Sequence, residues 1–84
     1  MGTLIITFRS VTPAQRADRV FRNAGIPCHL GRTPRWMEEQ GCGYNLRIRY
    51  LELEDVMDLL KNHKISYRKV YIVGANGAME ELAR

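Results

Sequence analysis

Apolar positions recur with two different periods along this chain, and the switches between them mark out its elements. Leu4, Ile6 and Phe8 alternate with Ile5, Thr7 and Arg9, which predicts a strand over residues 3–9. The period then lengthens. Ala17, Val20, Phe21 and Ala24 fall at i, i+3, i+4 and i+7, a single apolar stripe on a helix. Ser10 or Thr12 suits its start, and Pro13 sits where a missing N–H costs nothing. Gly25 suits its end in a left-handed conformation. Residues 26–30 read as a short strand, and Pro27 inside it argues for an edge position.

The cleanest alternation comes next. Tyr44, Leu46, Ile48 and Tyr50 face one way, and Asn45, Arg47 and Arg49 the other. Such a strand has one buried and one wet face, which favours antiparallel neighbours. A second helix spans residues 52–63, with Leu53, Val56, Met57 and Leu60 inward. Glu52, Glu54 and Asp55 suit the positive end of its dipole, and Lys61 and Lys64 the negative end. Residues 66–73 predict a fourth strand with Val70 and Ile72 inward.

The order β-α-β-β-α-β predicts an α+β, ferredoxin-like two-layer sandwich. Its four-stranded antiparallel sheet would carry both helices on one face, joined by right-handed crossovers. Residues 1–73 would form this single domain. Gly74-Ala75-Asn76-Gly77 breaks the pattern, and the tail through residue 84 is expected as a short helix or as disordered chain.

Between the second and third strands lies a connection, residues 31–43, longer than the usual hairpin loop of two to five residues. It holds Arg32, Arg35 and Trp36 and ends in Gly41-Cys42-Gly43. Two flanking glycines leave the Cys42 sulfur without neighbouring side chains to shield it. A thiol that a partner must reach needs that arrangement; a packing cysteine does not. Nearby guanidinium groups favour the nucleophilic thiolate, whereas Glu38 and Glu39 oppose it. Such a thiolate can hold sulfur or selenium as Cys–S–SH or Cys–S–SeH and pass it on without an acid–base triad. The alternative is a small buried hydrophobe at the start of a strand.

Composition bounds these readings. The chain has 84 residues, 45% of them apolar and 26% charged, as in an ordinary small globular domain. No apolar run approaches the roughly 20 residues of a membrane span. The absence of a secretory signal, together with only two cysteines, predicts a reducing cytoplasm with free thiols. The net charge of +4 is uneven: residues 1–49 carry eight Arg against Asp18, Glu38 and Glu39, and the remainder is close to neutral. That basic half could draw in an anion, an acidic protein or nucleic acid.

Other candidates are weaker. Cys28 lies within a strand and reads as a packed thiol; a resolving role would need its Cα within about 7 Å of that of Cys42. His29 and His63 lack the close ligand spacing of a zinc site, so no metal is expected, and no cofactor. Trp36 is either a contact for a partner protein or a lid over the core. Arg47 and Arg49, with Lys69 and Tyr71, would line an open sheet face suited to RNA. The aromatic run of an RNA-recognition fold is absent, and Tyr44 and Tyr50 share the core face, so nucleic-acid binding is expected to be weak.

Taken together, Thr33-Pro34-Arg35, Gly41-Cys42-Gly43 and Leu46-Arg47-Ile48, followed by an acidic helix and a closing strand, resemble the Se/S carrier protein-like family. Gly25-Ile26-Pro27 ahead of a short strand resembles it too, and the likeness covers about residues 3–73. The resemblance implies a role in selenium or sulfur metabolism, with donor and acceptor proteins as partners. It implies Cys42 as the position of interest, with Arg35 and Arg47 as companions. This chain departs from the family in having Glu38-Glu39-Gln40-Gly41 where small or hydroxyl residues often precede Cys-Gly. The expected function is a carrier rather than a stand-alone enzyme, with Gly41 and Gly43 as the flexible mount. Two rivals stand beside it: an anion-binding regulatory module built on Arg32, Arg35 and Arg47, and an RNA-binding sheet face.

Overall fold

A computed structural model of the chain describes residues 2–32, 43–50 and 52–82. Strand β1 (Gly2–Phe8) leads to helix α1 (Val11–Asn23) and strand β2 (Cys28–Arg32). Strand β3 (Tyr44–Tyr50), helix α2 (Leu53–Asn62), strand β4 (Val70–Val73) and strand β5 (Met79–Leu82) follow. The five strands form one sheet in the order β2-β3-β1-β4-β5, with every neighbouring pair antiparallel. The fold is α+β.

The period of two explains the sheet's two faces. Leu4, Ile6 and Phe8 pair with Ile48, Leu46 and Tyr44 and point to the helices. These residues, with Val70, form one buried cluster with Ala14, Ala17 and Phe21 of α1 and Val56, Met57 and Leu60 of α2. Both helices therefore close the same face. Phe8 and Phe21 are fully buried, so truncating either to Ala should cost about 3–5 kcal/mol. On the other face His29, Arg47, Ile5, Tyr71 and Glu81 stand side by side in register across all five strands. Ile5 is buried there, flanked by Arg47 and Tyr71.

The two helices end in the same way. At α1, the Gly25 N–H bonds the Arg22 carbonyl and the Ile26 N–H bonds the Phe21 carbonyl, with Gly25 at φ +78°. At α2, Lys64 bonds Lys61 and Ile65 bonds Leu60, with Lys64 at φ 53°. Each is a Schellman closure, in which the left-handed residue satisfies carbonyls the helix leaves unpaired. Arg16 on α1 donates to the His63 carbonyl at 3.1 Å, linking one helix to the end of the other.

Four expectations are corrected. The sheet has five strands, not four, so it departs from a four-stranded ferredoxin-like sheet by an added edge strand. Residues 79–82, expected as helix or disordered tail, are that strand. The turn through Gly74 and Gly77 closes it: Gly74 N–H bonds the Ala78 carbonyl at 2.7 Å, and Asn76 Oδ1 accepts from Ala78 N–H at 3.0 Å. Strand β2 begins at Cys28 rather than residue 26, because Ile26 serves the helix closure. Strand β4 begins at Val70 rather than residue 66. Ahead of it Arg68 and Lys69 both stand opposite Thr7, whose N–H bonds the Lys69 carbonyl and whose carbonyl accepts from Arg68 N–H. Two residues against one interrupt the ladder as a bulge does.

Candidate functional site

Of the residues singled out in the sequence, Arg32, Gly43 and Arg47 are described. Arg35, Trp36, Gly41 and Cys42 lie outside the described residues. The hairpin register shows what surrounds the connection between β2 and β3. Arg32 pairs with Tyr44, the last and first residues of their strands. Asn45 Nδ2 donates to the Arg32 carbonyl at 3.1 Å, and the Arg32 guanidinium lies 5.7 Å from the centre of the Tyr44 ring. A cation held over an aromatic face gains electrostatic attraction. Gly43 is buried where the chain enters β3. The two ends of the connection are thus fixed side by side at one end of the sheet, beside Phe8 of β1.

Arg32 and Arg47 do not converge. Arg32 shares the helix-side face with Leu30 and Tyr44, whereas Arg47 is exposed on the open face between His29 and Ile5. The open face also carries Arg49, Lys69 and Tyr71. Among the described strand residues Tyr71 is its only aromatic, since Tyr44 and Tyr50 lie on the core side. No three His, Cys, Asp or Glu side chains among the described residues could together hold a metal ion.

The described cysteine is Cys28, half-buried on β2 and packed against the core. Its Sγ donates to Asp18 Oδ1 at 3.1 Å, and Arg22 Nε donates to the same oxygen at 2.9 Å. Asp18 and Arg22 are one helical turn apart on α1, so the carboxylate is held in place over the thiol. Burial pushes the Cys28 thiol up to about 12; the hydrogen bond to Asp18 and its negative charge add to this, and Arg22 only partly offsets them. A thiol with such a pKa stays protonated and is a poor nucleophile at neutral pH. Sequence reasoning placed Cys28 correctly as a packed thiol but missed Asp18 and Arg22 as its partners. Their i, i+4 spacing was a visible signal; the approach of α1 to β2 was not.

The sequence holds two cysteines, of which Cys28 is the one the structure describes. The model of the family described as "Putative Se/S carrier protein-like" matches residues 3–72. The chain belongs to this Se/S carrier protein-like family. The matched stretch runs from β1 to β4 and includes the Gly41-Cys42-Gly43 tripeptide. It stops short of β5. No curated protein matches the chain. None of the helices described is long and apolar enough to cross a membrane.

Proposed function

We propose that this protein carries sulfur or selenium on Cys42 between a donor and an acceptor protein. Family membership supports a carrier role, and the observation that supports Cys42 as the residue is the closed Cys28–Asp18–Arg22 arrangement. With Cys28 held protonated, Cys42 is the remaining thiol of the chain. In the carrier step, the Cys42 thiolate attacks the outer sulfur of a donor persulfide, R–S–SH. The new bond is Cys42 S–S, the donor's S–S bond breaks, and the donor thiolate leaves with the electron pair. The product is Cys42–S–SH. Selenium follows the same balance, with Cys–S–SeH as product. Passing the atom on reverses the step with an acceptor thiolate.

Arg35 is the proposed cation for this thiolate, and Gly41 and Gly43 its mount. Trp36 and the arginines of the connection would serve docking. A free thiol carrier requires a reducing compartment, for which the cytoplasm is the proposed location. Incubating the protein with a cysteine desulfurase and cysteine, or with a selenium source, and measuring intact mass tests the proposal. Wild type and Cys28→Ser should gain a chalcogen atom and Cys42→Ser should not. Loading that survives Cys42→Ser, or no loading from any competent donor, would overturn it.

A further inference from the structure

We infer that the protein forms a symmetric dimer through the outer edge of β2, joining the two five-stranded sheets into one. Strand β3 pairs with one side of β2, and no described strand pairs with the other. The bonding pattern decides which groups that free side offers. Arg49 N–H bonds the Pro27 carbonyl at 3.1 Å. By the alternation of an antiparallel ladder, His29 and Gly31 also turn their backbone groups towards β3, while Cys28 and Leu30 turn theirs outward. The devices that usually blunt an edge are missing from β2. Its register with β3 is unbroken, it holds no proline, and its only arginine, Arg32, is its last residue. Leu30 at its centre is half-buried, so a second copy laid along this edge would cover apolar surface as well as pair backbone.

The two edges of the sheet differ in what self-pairing brings together. At β5, antiparallel pairing centred on Glu80 or Glu81 sets that glutamate directly opposite its own copy, and like charges so placed destabilise a sheet. At β2, pairing centred on Leu30 sets Leu30 opposite Leu30, His29 opposite Gly31 and Cys28 opposite Arg32. The two Leu30 residues then exchange N–H···O=C bonds, and the Arg32 N–H of each copy meets the Cys28 carbonyl of the other. Among the described residues that carbonyl accepts one long bond, 3.5 Å from Arg22 Nη2, which leaves a lone pair for the incoming donor. Opposite charges meet in this register. Asp18 stands over Cys28, with Oδ1 3.1 Å from Sγ. Arg32 lies on the same helix-side face, and its exposed contact with Tyr44, 5.7 Å to the ring centre, is weak enough to exchange. Residues directly opposite have Cβ atoms about 5 Å apart, so each Arg32 reaches the Asp18 carboxylate of the other copy. The same patch serves both copies, and the contact therefore closes at two chains.

The dimer does not depend on Cys42, so its test is separable from that of the carrier role. Sedimentation equilibrium of the reduced protein over a range of concentrations should approach twice the chain mass at the high end. Arg32→Pro removes an outward N–H, and Arg32→Glu sets a like charge against Asp18. Each should weaken the dimer at least about tenfold, whereas Glu80→Lys at the other edge should not. Should Arg32→Pro disturb folding, Arg32→Glu decides, because Arg32 is exposed. The register is read in a Cys28→Ser, Cys42→Ser background that also carries Leu30→Cys or His29→Cys, oxidised gently with diamide. Leu30→Cys should give a disulfide-linked dimer, and His29→Cys should not, because its counterpart is Gly31. A monomer at every concentration, a dimer unchanged in Arg32→Glu or lost in Glu80→Lys, or linkage of His29→Cys as readily as Leu30→Cys would overturn the inference.

Discussion

Native alkylation should separate the two cysteines sharply, and the size of the separation can be worked out. At pH 8 a thiol with an ordinary pKa near 8.5 is about one quarter thiolate. Cys28, pushed up to about 12, would be thiolate in about one molecule in ten thousand, a deficit of about 2,000-fold. A more basic thiolate is also a better nucleophile, and a Brønsted slope of 0.4–0.5 returns about 25- to 55-fold. Because Cys28 is only half-buried, solvent screens the charge of Asp18 and weakens its hold on the proton. Before that screening the rate deficit relative to an ordinary thiol is about 40- to 100-fold, and the screening narrows it. The assay is the rate of iodoacetamide adduct formation by intact mass, measured on Cys42→Ser and Cys28→Ser under native conditions. The deficit should shrink in Asp18→Asn, which removes the charge and weakens the acceptor while leaving the burial that contributes most. The sign of the pH dependence follows. The folded state holds the Cys28 proton more tightly than the unfolded chain, so its contribution to stability is complete below about pH 8.5 and is lost as pH rises towards about 12. Alkylation of Cys28 within about fivefold of Cys42, or no acceleration in Asp18→Asn, would refute the reasoning.

The helix closures and the fifth strand give two further tests. Lys64 holds a left-handed conformation at φ 53° that costs a non-glycine residue about 1–2 kcal/mol; Lys64→Gly should therefore raise stability by up to about 1 kcal/mol after the flexibility it adds to the unfolded chain, and Gly25→Ala should lower it by about as much. Urea unfolding of both variants checks the pair, and a Lys64→Gly variant less stable than wild type would contradict the closure. Ending the chain at Gly77 removes β5, including Leu82, which pairs with Val70 and packs on the core. That should cost about 1–3 kcal/mol and expose the β4 edge to self-association; unchanged urea stability and the elution profile of wild type would show that β5 contributes nothing.

What the sequence made legible follows from where side chains decide structure. The alternation in β3 was readable because its two faces meet different surroundings: Leu46 and Ile48 are fully buried, and Arg47 and Arg49 are exposed. The stripes of α1 and α2 were readable for the same reason. Strand β5 was not. Met79-Glu80-Glu81-Leu82 is composed of good helix formers, and its strand state comes from backbone pairing to β4 across a tight turn, which composition hardly records. The start of β2 was misplaced because Ile26 is apolar in either role, as strand residue or as the residue that seals a helix end. Lys64 hid the second closure, since a left-handed lysine carries no sequence signal comparable to Gly25. The bulge opposite Thr7 was also invisible.

The state of Cys28 bears on how a carried atom would survive. A persulfide on Cys42 is destroyed when a second thiolate attacks its inner sulfur, closing a disulfide and releasing the chalcogen. Within this chain only Cys28 could do so. Its proton is held by burial and by Asp18, and Arg22 fixes Asp18 in turn. Intramolecular discharge is therefore slowed by the same scarcity of thiolate that slows alkylation, whatever the distance between the sulfurs. On the carrier proposal, Asp18 and Arg22 act as guards of the cargo rather than as members of the transfer site. A loaded Asp18→Asn protein should then lose its chalcogen faster than loaded wild type, in the absence of any acceptor. The expected signature is a disulfide between Cys28 and Cys42 by intact mass and peptide mapping. Equal lifetimes in the two proteins, or faster loss that persists when Cys28→Ser is added, would leave the discharge to external thiols and remove the guarding role.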